Sequence, residues 1–421
     1  MRRLCTGSLL LVLVGASCPD TAVAQATVDR ERLARIDRAL EAYVDDGRLA
    51  GMVALVLQDG RPIYERALGW QDREAGRAML PTTIFRIASQ TKAITSAAVL
   101  MLMEEGRLTL DTPVSRFIPE FEDTTVAVPV GQDMRVVPAN RVITIRDLLT
   151  HTSGMSYGTQ ALVAPRYEAL ALGPAAGFGW YTADKDEDIC TTVASLASLP
   201  FMAQPGEAWV YGYSTDVLGC VVERAAGMPL DAFVRERITG PLGMDDTHFF
   251  LPPDKRDRLA AVYASGPDGT AVRAPEGARG QGAYVDGPRR SFAGGAGLVS
   301  TARDYARFLE LIRNGGTLDG VRLLSPRTVR LMTTNQVGLL HSESGLGFGL
   351  AFQTTDRFGA NGLDAAGAFG WGGAYGTVYR VDPEAGVVML LMAQLLPNGT
   401  DVRTVFPTLV YQALVEAAVA E

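Results

Sequence analysis

Phe85-Arg86-Ile87-Ala88-Ser89-Gln90-Thr91-Lys92-Ala93-Ile94-Thr95-Ser96-Ala97-Ala98-Val99-Leu100 is the stretch on which the reading of this chain turns. It holds neither glycine nor proline, and its pattern predicts a strong helix over 92–105. A serine and a lysine three residues apart on a helix, as Ser89 and Lys92 are spaced, share one face. A serine hydroxyl is a poor nucleophile until a nearby base takes its proton, and an amine at this spacing can do so. An amine has an ordinary pKa of about 10.4, so the site must be buried and crowded before it serves as a base. A helix start beside the serine adds a positive dipole that favours developing negative charge. Alone, Ser-x-x-Lys is weak, because many surface helices contain it.

A second serine competes. Gly154-Met155-Ser156-Tyr157-Gly158 spells G-x-S-x-G, and a nucleophile elbow puts that serine between a strand and a helix. Here Ile145 to His151 reads as a helix and Thr152-Ser153-Gly154 as a turn, so the context fails. Ser89 is preferred.

Further along come Gln204-Pro205-Gly206-Glu207-Ala208-Trp209-Val210-Tyr211-Gly212-Tyr213 and then the helical Ser214 to Gly219. Much later Phe369-Gly370-Trp371-Gly372-Gly373-Ala374-Tyr375-Gly376 opens a hairpin. With Ser89 and Lys92 these motifs resemble the penicillin-recognising serine hydrolases: class C β-lactamases, D-alanyl-D-alanine peptidases and, nearest, family VIII carboxylesterases. Leu148 to Gly154 and Gly295 to Thr301 agree, so the resemblance spans nearly the whole mature chain. Trp371-Gly372-Gly373 stands where the β-lactamases carry Lys-Thr-Gly, which favours the esterases.

The resemblance implies that Ser89 is the nucleophile and that Lys92 and Tyr211 are its proton partners, the division between them open. Tyr211 is chosen over Tyr213 because the family's tyrosine sits six residues after the proline of Pro-Gly. It implies an oxyanion hole from the backbone N–H groups of Ser89 and Ala374, the latter on the strand after Trp371-Gly372-Gly373, and no cofactor or metal. Gly372 and Gly373 would let substrate approach the strand without a Cβ in the way, or else form a bulge. The family has Ser or Ala, then Asn or Leu, where this chain has Gly212 and Tyr213. Tyr213 either narrows the acyl pocket or is a core aromatic. Trp371 offers an apolar face and one N–H in place of an ammonium, which points to short, neutral acyl esters, with β-lactam hydrolysis weak, unless an arginine of the 273–290 loop replaces the lost cation. A class C-type β-lactamase or D-alanyl-D-alanine carboxypeptidase is the alternative, and an idle cell-wall-binding protein a more distant one.

The 421 residues are 47% hydrophobic and 20% charged, enough apolar surface for a large core. Lys and Arg total 39 against 47 acids, a net charge of −8, without the basic excess of a nucleic-acid binder. Three histidines and four cysteines are too scattered to suggest a metal site. Arg2-Arg3, the short apolar run Leu9 to Val14 and Ala22-Val23-Ala24 read as a secretory signal over 1–24, with lipid attachment at Cys18 a weaker reading. That implies a periplasmic or secreted protein in which Cys190 and Cys220 either pair or stay as buried thiols. No mature segment is apolar enough to span a membrane.

Leu33, Ile36, Leu40, Tyr43 and Val44 predict an amphipathic helix over 29–47, and Met52–Leu57 with Ile63–Leu68 a hairpin about Asp59-Gly60. A second hairpin is predicted over 376–392, and helical spacing from Val405 to Val415. Helical patterns also occupy 143–151, 187–198, 214–226, 230–239 and 301–314. The expected class is α+β, an α/β sandwich. Its antiparallel sheet is made by both ends (27–84 and 292–421) and flanked by the terminal helices; the inserted domain, 85–291, is mainly helical. Residues 265–290 look like a loop. His151 reads as a support for the turn after its helix, and His248 and His341 as loop residues.

Overall fold

The computed structural model describes residues 27–131, 133–173 and 181–415; the expected leader, with Cys5 and Cys18, lies outside them. Helix α1 (Arg30–Asp45) starts where the Asp29 carboxylate accepts from Glu31 N and Arg32 N, and its three-four spacing buries Ile36, Leu40 and Tyr43. Strands β1 (Gly51–Gln58) and β2 (Arg61–Asp72) follow, joined by Asp59-Gly60. Both turn residues have positive φ, 48° and 75°, the form that matches the twist of paired strands. A short edge strand, β3 (Arg77–Ala78), ends this part.

Helix α2 (Thr91–Glu104) is buried along almost its whole length. After it come a hairpin, β4 (Thr125–Val130) and β5 (Asp133–Pro138), and helices α3 (Ile145–Leu149), α4 (Ile189–Leu196), α5 (Ser214–Ala226) and α6 (Leu230–Val234). Helix α7 (Ala302–Arg313) precedes the remaining strands: β6 (Leu346–Phe348), β7 (Gln353–Thr355), β8 (Phe369–Gly372), β9 (Val378–Asp382) and β10 (Val387–Ala393). Helix α8 (Val402–Tyr411) closes the fold.

Eight strands form one antiparallel sheet in the order β6-β7-β8-β9-β10-β1-β2-β3. The two hairpins read from sequence meet at its centre, with Val387 opposite Gln58 and Ala393 opposite Met52. Met52, Ala54 and Val56 face α1 and α8, while Val53 and Leu55 face α2 and α7. Because both faces are covered, β1 and β10 are continuous apolar runs rather than alternating ones. The expected α+β class, with helices on both sides of an antiparallel sheet, is the one observed.

Two local expectations need correction and one gains detail. The helical spacing expected to reach Val415 stops at Tyr411; Leu414 and Val415 instead pair with Val28 and Thr27, tying the two ends together. The stretch 85–291 contains the β4–β5 hairpin as well as its helices. Part of the expected 265–290 loop is a small strand pair, Tyr263–Ser265 with Ala271–Arg273. Of the two options for Cys190 and Cys220 the disulfide is the one formed, joining α4 to α5. Among the described residues no helix is long and apolar enough to cross a membrane.

Candidate active site

Ser89 lies in a single 3₁₀ turn, Ala88–Gln90, that runs into α2. Several bonds from distant elements hold this turn. Gln394 donates to Arg86 O (3.0 Å) and accepts from Arg86 N (3.1 Å), Ile87 N donates to Leu298 O (3.1 Å), and the Tyr305 hydroxyl donates to Gln90 O (2.7 Å). The neighbouring Ala88 has a φ of 42°, a left-handed conformation that costs a non-glycine residue energy and persists only where its surroundings impose it. Strain beside the proposed nucleophile fits a site built for chemistry.

Lys92, one turn further on, is 1% exposed. Its Nζ donates to Ser89 Oγ at 3.3 Å, to the Tyr157 hydroxyl at 3.0 Å and to Gly295 O at 2.7 Å. The amine's three donor directions are thus all used, and one points at the serine. Tyr211 packs its ring 4.7 Å from the same Nζ and accepts a hydrogen bond from Trp371 Nε1 at 3.2 Å. Serine and phenol line one cleft of about 450 Å³, with Gln353, Trp371 and the segment Gly372–Ala374 among others, and the buried amine lies against both of them. A larger cavity, about 810 Å³, lies between α7 and the β1–β2 hairpin and includes none of these groups.

Three residues join the site unannounced by the sequence. Tyr157 comes from the G-x-S-x-G stretch; burial, then Tyr211 and the Asp216 carboxylate, hold its phenol well above its ordinary pKa, so it stays protonated. Asp216, on the first turn of α5, accepts from Gly295 N at 3.0 Å, and its Oδ2 has no hydrogen-bond partner among the described residues. Burial pushes its carboxyl up to about 6 against the opposing pull of Lys92. Gly295 thus links the two, its carbonyl on Lys92 and its N–H on Asp216. A residue with a side chain at 295 would strike the Asp216 carboxylate, its Cβ lying 2.9 Å from Cγ.

Gly212 departs from the family pattern for a visible reason. A Cβ there would lie 2.5 Å from Ser156 Cα, so only glycine lets the loop that carries Tyr157 approach Tyr211. Ser156 itself is fully buried, and its hydroxyl accepts from Gly158 N at 3.0 Å within its own loop. It does not reach the cleft.

Two other expectations are revised. Tyr213 is 1% exposed, packs its ring 4.9 Å from Tyr157 and receives Gly173 N at 3.4 Å; it is a core aromatic and does not line the cleft. Ala374 lines the cleft but is not on a strand: β8 ends at Gly372, and Gly373 N to Thr377 O (2.9 Å) and Gly376 N to Gly373 O (3.1 Å) fold residues 373–377 into a turn. Gly373 is required by protein packing rather than by substrate, because a Cβ there would run into the carbonyl of Ile87, two residues before Ser89.

His151 is more than a turn support. It adopts φ 57°, and its buried ring packs 4.8 Å from Tyr211, 5.6 Å from Phe348 and 5.9 Å from Trp209. Burial and the nearby Lys92 hold it well below the usual histidine pKa, hence neutral. His341 packs on Trp209 at 4.4 Å, so an aromatic wall backs Tyr211. The arginines of the 273–290 loop do not line the cleft; its cations are Arg380, on β9, and Arg403, on α8.

A family model described as Beta-lactamase matches residues 36–412. Protein Rv1367c of Mycobacterium tuberculosis is 38% identical over 382 residues, 86% of this chain and 89% of its own length. Esterase EstB of Burkholderia gladioli is 36% identical over 386 residues, 87% and 91%. The solved structure of EstCE1, described as a hydrolase with promiscuous acyltransferase activity, superposes with a TM-score of 0.75 at 27% identity, covering 91% of this chain and 98% of that one. With a serine, an amine and a phenol gathered on this fold, the chain belongs to the beta-lactamase family, as a serine hydrolase near its esterase members.

Proposed function

We propose that this serine hydrolase cleaves short-chain carboxylic esters through an acyl-enzyme on Ser89, in preference to β-lactams. The observation that carries the reading is the 3.3 Å contact from Lys92 Nζ to Ser89 Oγ beside the Tyr211 ring. Ser89 Oγ attacks the ester carbonyl carbon, and its proton passes to the Lys92–Tyr211 pair. Backbone N–H groups of Ser89 and Ala374 receive the oxyanion; a preorganised donor of this kind is worth about 10²–10³ in rate. Collapse expels the alcohol, which takes the proton back, and water then hydrolyses the acyl-enzyme by the same route. Trp371 in place of lysine and the similarity to Esterase EstB of Burkholderia gladioli support an ester substrate. The leader-like residues 1–24 and the Cys190–Cys220 disulfide support a periplasmic or secreted location.

The test is hydrolysis of 4-nitrophenyl butyrate and of a chromogenic cephalosporin by wild type, Ser89→Ala and Ser156→Ala. Ester turnover should exceed cephalosporin turnover, vanish in Ser89→Ala and survive in Ser156→Ala. Activity kept by Ser89→Ala and lost by Ser156→Ala would refute the nucleophile; cephalosporin turnover above ester turnover would favour the β-lactamase reading.

A further inference from the structure

We infer that the larger cavity, between α7 and the β1–β2 hairpin, is a second ligand site that takes a small organic cation with an apolar body. It shares no lining residue with the catalytic cleft, so the inference is independent of the esterase reading. Its volume of about 810 Å³ falls within the roughly 300–1,000 Å³ usual for small-molecule sites. Leu55 and Leu57 of β1, Pro62 of β2, Ala306 of α7 and Leu318 supply apolar wall.

One face of α7 supplies the polar wall. Arg303, Arg307, Glu310 and Arg313 recur at three- and four-residue spacing and all line the cavity. An amphipathic helix ordinarily leaves such a charged stripe in water. Here the Glu310 side chain is only 3% exposed and that of Arg313 14%. The guanidiniums are all answered: Arg303 by Glu65 at 2.7 Å, Arg307 by Asp319 at 2.6 Å and Arg313 by Glu310 Oε2 at 3.0 Å. Asp59, in the hairpin turn, stands 3.6 Å from the same Arg313, so two carboxylates share one cation. Among the described residues Glu310 Oε1 has no hydrogen-bond partner. What this wall lacks is therefore a donor, at a place where negative charge is in excess.

That combination selects the ligand. Burial holds the Glu310 carboxyl above the usual carboxylate range, with Arg313 and the Asn314 side chain opposing the rise and Asp59 adding to it. A cation that bears N–H groups would donate to Oε1 and relieve that cost through a charge-assisted bond in a site already withdrawn from water. Its apolar body would cover the leucine wall. An anion meets no unanswered guanidinium here. Among the described residues no three His, Cys, Asp or Glu side chains are grouped to hold a metal ion, so the cation is an organic one.

The test is calorimetric titration with benzamidine and with benzamide, which differ in charge and little in shape. Wild type should bind benzamidine at least tenfold more tightly than benzamide. Glu310→Gln should shrink that preference below threefold, and Ser89→Ala should keep it. Equal affinities in wild type, or a preference that Glu310→Gln leaves intact, would overturn the inference. Hydrogen exchange locates the site without any substitution: benzamidine should slow exchange over 51–65 and 302–318 of the wild-type protein more than benzamide does. Slowing confined to 204–213 and 369–377, around the catalytic cleft, would place the cation there and overturn the inference as well. Neither readout involves ester turnover. Loss of the esterase reading would leave both results standing, and loss of the cation site would leave the esterase untouched.

Discussion

Lys92 donates at once to the serine, to a phenol and to a backbone carbonyl, so its position is fixed on three sides. Tyr157→Phe removes one of these anchors without opening a cavity. We expect kcat on 4-nitrophenyl butyrate to drop about tenfold with an altered pH profile, set against the larger losses, about 10²–10⁴, of removing a proton-transfer group, the role proposed for Tyr211. Gly212→Ala drives a methyl against Ser156 and displaces the Tyr157 loop. It should cost about 1–3 kcal/mol of stability, as overpacking does, and lower kcat with it; urea melts and steady-state rates check both. Asp216 supplies a pH signature. Its carboxyl is raised to about 6 in the folded chain, above the ordinary 3.8, so the folded state binds the proton more tightly than the unfolded one. Its stabilising contribution is full below about pH 4 and is lost as pH rises through about 6. Relative to Asp216→Asn, wild type should therefore lose stability across that window, by on the order of 3 kcal/mol at most, in thermal melts from pH 4 to 7. A difference independent of pH would contradict the assignment.

At the scale of elements, the 3₁₀ turn and α2 place Ser89 and Lys92, α5 places Asp216, and the disulfide anchors α5 to α4. The bridge spans 30 residues, so its loss should cost about 3–4 kcal/mol by the loop-entropy argument. Cys190→Ser/Cys220→Ser should melt markedly lower than wild type while keeping KM, since neither cysteine lines the cleft. The elements legible in the sequence were those with a strong period. The patterns over 187–198, 214–226 and 301–314 became helices because one stripe of each finds a core, and 92–105 because its apolar run is buried on nearly every side. The β4–β5 hairpin was not legible: most of its side chains are at least partly exposed, and Pro129 and Pro138 interrupt the run, so alternation is weak. Likewise Leu414 and Val415 continue the helical spacing, yet a short pairing with the other terminus decides their state.

Across the whole molecule, the sheet is closed by segments from opposite ends of the chain, and the cleft is assembled the same way. Ser89, Lys92 and Tyr211 could be read from motifs because each sits in a recognisable local frame. Tyr157, Asp216, Gly295 and Arg403 could not, because only tertiary packing brings them together; Arg403 lies on the last helix, more than three hundred residues after Ser89. Tyr213 shows the converse, a residue placed at the site by its spelling and removed from it by burial. The central claim is that Ser89, activated by the Lys92–Tyr211 pair, carries the acyl group. Intact-protein and peptide mass spectrometry after exposure to a 4-nitrophenyl alkylphosphonate tests it directly. The account predicts a single adduct on Ser89, formed far more slowly in Lys92→Ala; an adduct on Ser156, or none in the folded wild-type protein, would contradict it.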